Sequence, residues 1–278
     1  MSGDPVLAPG LLVRPSPVES DRFGREVVRV TIGEGAPDHH TLLAALDEVS
    51  ADVLVVRYDA ARVELGGLLG ASRWAVLPAG ALTYWEVALP FDSAPAQAGL
   101  EVRSAETLAA QDRRGVSELV RLIVHASFAD YGNHYRANPL LDPSDALEGY
   151  EDWALRSLTE HPGDVLLLMH RTVPVGFATL EFGADGADVE VLLAGLVPSV
   201  QRQGRYGTLL GGCATTAAAR GVGRLFTSTQ VHNTRVQRAW VRAGLRPFAA
   251  VETVHLVDRA LLAEALASAR TGTPGPPG

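Results

Sequence analysis

Lysine is absent from the 278-residue chain, so all 24 basic residues are arginine. That removes a Schiff-base lysine and the lysine of a phosphate-binding P-loop, and with them pyridoxal enzymes and Walker-type nucleotidases. One cysteine, Cys213, is present, which excludes an internal disulfide and a thiolate zinc site. His161 and His170 lack the HExxH spacing of a metalloprotease, and no metal site is expected. No apolar run approaches the roughly 18 to 20 residues of a spanning helix, and Met1 to Gly10 lacks the basic flank and apolar stretch of an export signal. A cytoplasmic location without membrane contact is therefore the expectation. The formal charge of -8 opposes a general nucleic-acid binder, which needs a basic surface to neutralise phosphates.

What is present is a folded composition, 47% hydrophobic and 20% charged, in a chain long enough for two modest domains or one large one. Charge is unevenly spread. From Val191 to Val251 there is no Asp or Glu, yet Arg202, Arg205, Arg220, Arg224, Arg235, Arg238, Arg242 and Arg246 fall there. Arginine pairs with phosphate bidentately, so this basic third is a candidate seat for a polyanionic small molecule. Arg235, Arg238 and Arg242 share one helix face opposite the apolar side and read more simply as a solvated surface.

Period-2 and period-3.6 patterns predict an α/β organisation. Residues 1–90 hold strands at Glu26–Ile32, Val53–Val56, Arg73–Leu77 and Leu82–Leu89, with helices near His40–Val49 and Ala60–Leu69. The Pro, Ala and Gly-rich segment 91–99 reads as a linker. Residues 100–270 begin with helices near Thr107–Ala126 and Ser144–Thr159, separated by an irregular aromatic segment. Strands then fall at Val165–His170, Val175–Phe182 and Val189–Val197, before a helix near Tyr206–Arg220, a strand Arg224–Val231, a helix Thr234–Ala243 and a strand near Phe248–Leu256. Residues 271–278 are expected to form a disordered tail.

The informative stretch is Val191 to Gly221, in which an apolar strand ends at Pro198 and a glycine loop leads into a helix. Strand, glycine loop and helix N-terminus together bind phosphate. Gly204 and Gly207 permit a tight turn, so the amides of Gln203, Gly204, Arg205, Tyr206, Gly207 and Thr208 can converge on a pyrophosphate. Gln201-Arg202-Gln203-Gly204-Arg205-Tyr206 resembles the Q/R-x-x-G-x-G/A signature of the GCN5-related N-acetyltransferases, and the strand, loop, helix, strand, helix order is similar to the core of that family. Glu19–Val30 and Phe128–Ala154 further resemble the opening and the sugar-facing segment of the dTDP-fucosamine and dTDP-amino-sugar acetyltransferases.

The resemblance implies a mixed central sheet flanked by helices, with residues 1–90 a smaller, structural, truncated unit of the same kind. It implies acetyl-CoA as co-substrate, bound at the Gly204 loop, with pantetheine meeting free backbone groups at Leu196 and Val197 and with Asn233 near the thiol. It implies direct acetyl transfer, in a ternary complex, to the amine of a nucleotide-linked amino sugar. Another small amine, such as an antibiotic or polyamine, is the alternative acceptor, a non-catalytic CoA-binding or scaffold module the alternative class, and a homodimer is among the assemblies the sequence allows. Two departures stand out. Tyr206 occupies the last glycine position of the signature, and Trp240 stands where the sugar acetyltransferases carry a tyrosine proton donor.

Among single residues, Glu190 precedes the central apolar run and can aim a carboxylate into a cleft as general base, as can Glu181, though either can equally be a solvent-facing strand end. Tyr206 is the candidate alternative acid, with Trp240 shaping the thiol pocket. His134, Tyr135 and Arg136 form a candidate sugar or pyrophosphate clamp, with Tyr131 and Tyr150 placed to stack on a ring. Asn233 begins its helix and suits an N-cap as well as a cofactor contact. Cys213, among Leu209, Leu210 and Ala217, reads as buried core rather than nucleophile.

Overall fold

The computed structural model describes residues 7–91 and 98–271. The N-terminal half comprises β1 (Leu11–Pro15), α1 (Pro17–Phe23), β2 (Val27–Ile32), α2 (His39–Asp47), β3 (Val53–Asp59), α3 (Glu64–Leu69) and β4 (Ala75–Ala88). Alternation along β2 and β3 puts Val28, Val30, Ile32, Leu54 and Val56 on one face, where they pack against Leu42, Leu46, Leu65 and Leu69 of α2 and α3. Asp38 starts α2 by accepting hydrogen bonds from the backbone N–H groups of His40 and Thr41. The buried Trp74 indole donates to the Leu46 carbonyl at 3.1 Å, so its one polar atom is satisfied.

The second half runs β5 (Leu100–Ser104), α4 (Ala105–Phe128), a 3-10 turn (His134–Ala137), α5 (Pro143–Glu160), β6 (Val165–His170), β7 (Val173–Phe182), β8 (Asp188–Leu196), α6 (Arg205–Ala219), β9 (Arg224–Gln230), α7 (Thr234–Arg242), β10 (Arg246–Val257) and α8 (Arg259–Thr271). All ten strands join one sheet, in the order β1-β2-β3-β10-β4-β9-β8-β7-β6-β5. β10, the last strand of the chain, lies between β3 and β4 of the N-terminal half and is antiparallel to both. The two halves drawn from the sequence thus share a sheet. Residues 92–97 of the expected linker and 272–278 of the expected tail lie outside the described residues.

One element differs in kind from the sequence reading. The two short strands expected at Arg73–Leu77 and Leu82–Leu89 are the single 14-residue β4. The pairing with β10 shifts register between Glu252 and Val254, opposite Ala81 and Pro78, and Gly80 in this bulge has φ +90°. A bulge absorbs the residues that look like a turn, and glycine supplies the left-handed backbone it needs. β1, α1, β5 and α8 have no counterpart among the expected elements.

The two faces carry separate cores. On one, Leu209, Leu210, Cys213 and Ala217 of α6 and Trp240 of α7 pack on Trp85, Val189, Val191 and Leu225. On the other, α4 and α5 cover Val165, Leu167, Phe177 and Leu193, while Phe23, Tyr135, Leu141 and Ala146 cover Val27, Val53 and Val55.

Candidate active site

β8 and β9 are parallel and paired from Asp188–Arg224 to Val191–Thr227, and no further. β8 continues to Leu196 against β7, and β9 continues to Gln230 against β4, so their facing edges part beyond Val191 and Thr227. The parting has a local cause. The register of β8 on β7 shifts between Leu193 and Val191, which leaves Leu192 as the extra residue of a bulge, and a bulge bends its strand. Thr227 Oγ1 donates to the Val191 carbonyl at 3.0 Å and closes the last rung.

The loop from β8 to α6 sits at the open end. Gly204, at the N-cap of α6, has φ +75°, and no side chain caps this helix. The Gly207 N–H donates to the Gly204 carbonyl at 3.1 Å, which leaves the N–H groups of Arg205 and Tyr206 at the tip to face an anion, with the helix dipole behind them. Arg202 is also left-handed, with φ +62°. Arg202, Gln203 and Gly204 are exposed, and Arg205, Tyr206, Gly207 and Thr208 are half-buried. Arg205 Nη1 is buried without a hydrogen-bond partner. Part of the basic third is neutralised elsewhere, by Arg220–Asp164 at 2.6 Å and Arg224–Glu86 at 2.8 Å.

The backbone groups expected to be free at Leu196 and Val197 are engaged. The Leu196 carbonyl accepts from Ser127 Oγ at 3.2 Å and from Gln201 Nε2 at 2.8 Å, and the Val197 N–H donates to the Val175 carbonyl at 3.0 Å. Gln201 in turn accepts from Arg235 Nη2 at 2.8 Å, which ties the β8 loop to α7 across the parting. Asn233 takes the capping role weighed for it and adds a bond to the neighbouring strand. Its Oδ1 caps Val236 N–H of α7 at 3.4 Å, while its Nδ2 donates to Thr229 Oγ1 of β9 at 3.0 Å.

Three aromatic side chains meet at the parting. Tyr131, expected to stack on a base or sugar ring, has its hydroxyl 3.2 Å from Thr229 Oγ1 and accepts the Gln230 N–H at 3.3 Å. Trp240 is 1% exposed, lies against Trp85 with ring centroids 6.0 Å apart, and donates from Nε1 to the Tyr206 hydroxyl at 3.4 Å. Burial raises the Tyr206 phenol well above its usual value, and the Trp240 hydrogen bond only partly offsets this. A protonated Tyr206 can donate a proton or hydrogen bond, whereas the Trp240 N–H is already spent on it. Cys213 is fully buried and its thiol is pushed up to about 12 by that burial, so it is no nucleophile at neutral pH.

Glu190 faces the opposite side of the sheet from α6. It is half-buried, paired across the ladder with Glu181, and one residue before the strands part. Burial raises its carboxyl to about 7; the charges of Glu181 and Asp188 add to the rise, and that of Arg57 opposes it. A carboxyl held there is divided between acid and base forms at neutral pH, the condition for efficient proton transfer. Tyr84 of β4, also raised by burial, senses both Arg57 and Glu190 and hydrogen-bonds Ser228 of β9.

The expected clamp is dispersed. His134 and Tyr135 are buried, and Arg136 is exposed. His134 Nδ1 lies 2.9 Å from His255 Nε2, and Tyr135 donates to Glu19, which also accepts from Arg29 Nε at 2.6 Å. Burial works to raise the Glu19 carboxyl, but Arg29 overcomes it and holds the group at about 2. The 3-10 turn is therefore pinned by buried polar pairs to β10 and to α1 of the N-terminal half, with no open clamp formed. Arg57 was missed, although an arginine inside the apolar run of β3, VLVVRYD, was a visible signal. Among the described residues no three His, Cys, Asp or Glu side chains are grouped as a metal site, and no helix is long and apolar enough to cross a membrane.

This architecture, a mixed sheet whose parallel central strands part beside a glycine loop and helix N-terminus, is the fold of the GCN5-related N-acetyltransferases. No protein-family model and no curated protein sequence matches the chain. Among solved structures, a GCN5-related N-acetyltransferase from Sphaerobacter thermophilus aligns with a TM-score of 0.59 and 13% identity, over 90% of this chain and 77% of its own. A tandem protein of the same fold from the clavulanic acid biosynthesis pathway aligns with a TM-score of 0.53 and 11% identity, over 84% of this chain and 75% of its own. A glucosamine N-acetyltransferase region of a fungal multi-domain β-N-acetylglucosaminidase aligns with a TM-score of 0.54 and 10% identity, over 88% of this chain and 31% of its own. At such identities the likeness is one of fold.

Proposed function

We propose that the chain transfers an acetyl group from acetyl-CoA to the primary amine of a small acceptor, by direct attack within a ternary complex. The observation that carries this reading is the parting of β8 and β9, with an uncapped helix N-terminus at its open end and Glu190 at its closed end. The uncapped N–H groups of α6, with Arg205, hold the pyrophosphate. Pantetheine enters the parting toward Tyr131, Tyr206 and Asn233. Because Leu196 and Gln230 are bonded to Gln201, Ser127 and Tyr131, its amides exchange with those side chains as it seats.

In the reaction the Glu190 carboxylate takes a proton from the acceptor ammonium, directly or through water. The freed amine attacks the thioester carbonyl, the new C–N bond forms, and the C–S bond breaks with its electron pair leaving on sulfur. The thiolate takes up a proton from the Tyr206 hydroxyl or from water, and the second nitrogen proton is released to solvent. Two things support an amino-sugar acceptor linked to a nucleotide: the resemblance of Phe128–Ala154 to the sugar-facing segment of that group, and the polar face around Glu190, which suits a hydroxylated ring.

Calorimetric titration with CoA tests the cofactor, and a lack of binding at millimolar CoA refutes the whole reading. Steady-state assays with dTDP-amino sugars against free amines test the acceptor. Turnover of free amines only refutes the nucleotide sugar, and CoA binding with no turnover of any amine refutes catalysis.

A further inference from the structure

Arg57 lies in the middle of β3 between Val56 and Tyr58, both buried. Its Nε is buried without a hydrogen-bond partner, and no ion pair joins it to a carboxylate among the described residues. Its cross-strand partner is Thr253 of β10, whose Oγ1 is likewise buried and unpartnered. Two residues along β10, on the same face, His255 Nδ1 is also unpartnered. Buried charges in folded proteins are ordinarily paired, because an unpaired one carries its full desolvation cost. Three unpartnered polar atoms thus lie on one face, one of them the Nε of a half-buried guanidinium, and an anion is the partner such a cation would take.

This site belongs with the reacting centre. The Arg57 charge is felt at Glu190 and Tyr84 on one side and at His134 and His255 on the other. Ser228 and Tyr84 are cross-strand partners, as are Tyr84 and Ala249, and Ala249, Thr253 and His255 alternate onto one face of β10. That face of the sheet also carries Glu190, so the orphaned groups and the base share one surface.

We propose that the acceptor amine carries an anionic group, a carboxylate or a phosphate, and that Arg57 of the N-terminal half binds it, with Thr253 and His255 completing the seat. The proposal rests on the acetyl-transfer reading above, since it takes Glu190 as the neighbouring base. It gives residues 1–90, expected to be structural and to flank the acceptor cleft, a specific chemical part in acceptor recognition.

The test uses the full chain and equilibrium titration, which needs no turnover, with glucosamine, glucosamine 6-phosphate and L-glutamate as probes. The wild-type chain should bind one of the two charged amines more tightly than glucosamine by at least about tenfold, the loss typical of a missing charge-assisted hydrogen bond. Whichever of the two binds identifies phosphate or carboxylate. Arg57→Met should abolish that preference while leaving CoA affinity unchanged, and Arg57→Lys should keep part of it, because lysine retains the charge but not the planar fork. Without ligand, Arg57→Met should melt at or above the wild-type temperature, since a half-buried cation with no ion-pair partner among the described residues is removed. Equal binding of charged and neutral amines, or an unchanged preference in Arg57→Met, overturns the proposal. So does an Arg57→Met chain that melts well below wild type or fails to fold, because the guanidinium is then a support of the sheet. Failure of CoA to bind in the same samples, with the charged amine bound, refutes acetyl transfer and leaves the anion seat standing.

Discussion

Replacing Glu190 with glutamine should make the protein more stable and nearly inactive, and the two effects share one cause. The folded-state carboxyl titrates at about 7 instead of 4.5, through burial first and the Glu181 charge second. Each tenfold change in proton affinity is worth about 1.4 kcal/mol, so keeping this group ionised in the folded state costs about 3 kcal/mol. That figure is an upper bound, because the side chain retains some solvent contact. The sign follows from proton counting. Between pH 4.5 and 7 the folded state keeps a proton that the unfolded state has released, so this group's contribution falls as pH rises through that window and is flat outside it.

The Glu190→Gln difference from wild type should therefore be near zero below pH 4.5 and reach up to about 3 kcal/mol in favour of the variant at pH 8. Taking the difference matters because His134 and His255 act in the opposite direction. Burial lowers both, His255 to about 4, so their contribution is present above pH 6.5 and is lost as pH falls toward 4. Denaturant unfolding at pH 4.5 and pH 8 reads the stability, and release of free CoA thiol reads turnover, which should fall roughly 100- to 10,000-fold for loss of a general base. A variant as stable as wild type at pH 8 refutes the raised carboxyl, and one that keeps its turnover refutes the role as base.

In the wild type, kcat/KM for the acceptor should rise through about pH 7 as Glu190 loses its proton, and a profile flat from pH 6 to 8 argues against this base. Gly204→Val places a β-branched residue at φ +75° and crowds the amides of α6, so the KM for acetyl-CoA should rise at least about tenfold with kcat little changed, the pattern of lost uniform binding; an unchanged KM removes the loop from the cofactor site. Trp240→Phe should lower stability by about 1 to 3 kcal/mol through lost packing and the lost bond to Tyr206 yet retain most of the turnover, and a collapse of turnover with folding intact would make the indole N–H catalytic. Residues 98–278 expressed alone should be insoluble, because removing β3 and β4 bares both edges of β10 and one of β9; a soluble fragment that binds CoA shows the halves to be independent.

The C-terminal strands and helices were legible because each carries a clean period bounded by its own stop signals. The strand Val165–His170 is a continuous apolar run, and Asn233 and Gly244 bracket α7. The glycine loop was legible for the same reason, since a left-handed Gly204 between a strand and a helix is a local fact. What failed was non-local. Pro78, Ala79 and Gly80 look like a turn until β10 and β9 bind β4 on both sides. Nothing in the local sequence places β10 between β3 and β4. His134 and Tyr135 have the chemistry of a clamp, but their partners are 121 and 116 residues away, at His255 and Glu19, so their burial is invisible in their own segment. Arg57 lies between these cases, its oddity local and its meaning dependent on the fold.

The width of the sheet explains why the polar seat lies where it does. Ten strands at a spacing of about 4.8 Å span roughly 43 Å, and a helix with its side chains covers about 10 Å of that. On the face bearing Glu190, the apolar clusters draw their helical residues from α1, α4, α5 and the 3-10 turn, the three α-helices being enough for about 30 Å. The remaining width falls between the two clusters, over β10, β4 and β9, where the 3-10 turn packs and His134 meets His255. No helix lays an apolar stripe there, so the side chains on that face need not be apolar, and they are Tyr84, Ser228, Thr253 and His255. A chain with only its C-terminal strands would have α4 and α5 over the outer part of the sheet and a bare edge beyond β9. Insertion of β4, and of β10 against β3, extends that edge into a floor and brings Arg57 to its far side. On the proposed reading, the N-terminal half is what adds an acceptor seat to the cofactor cleft.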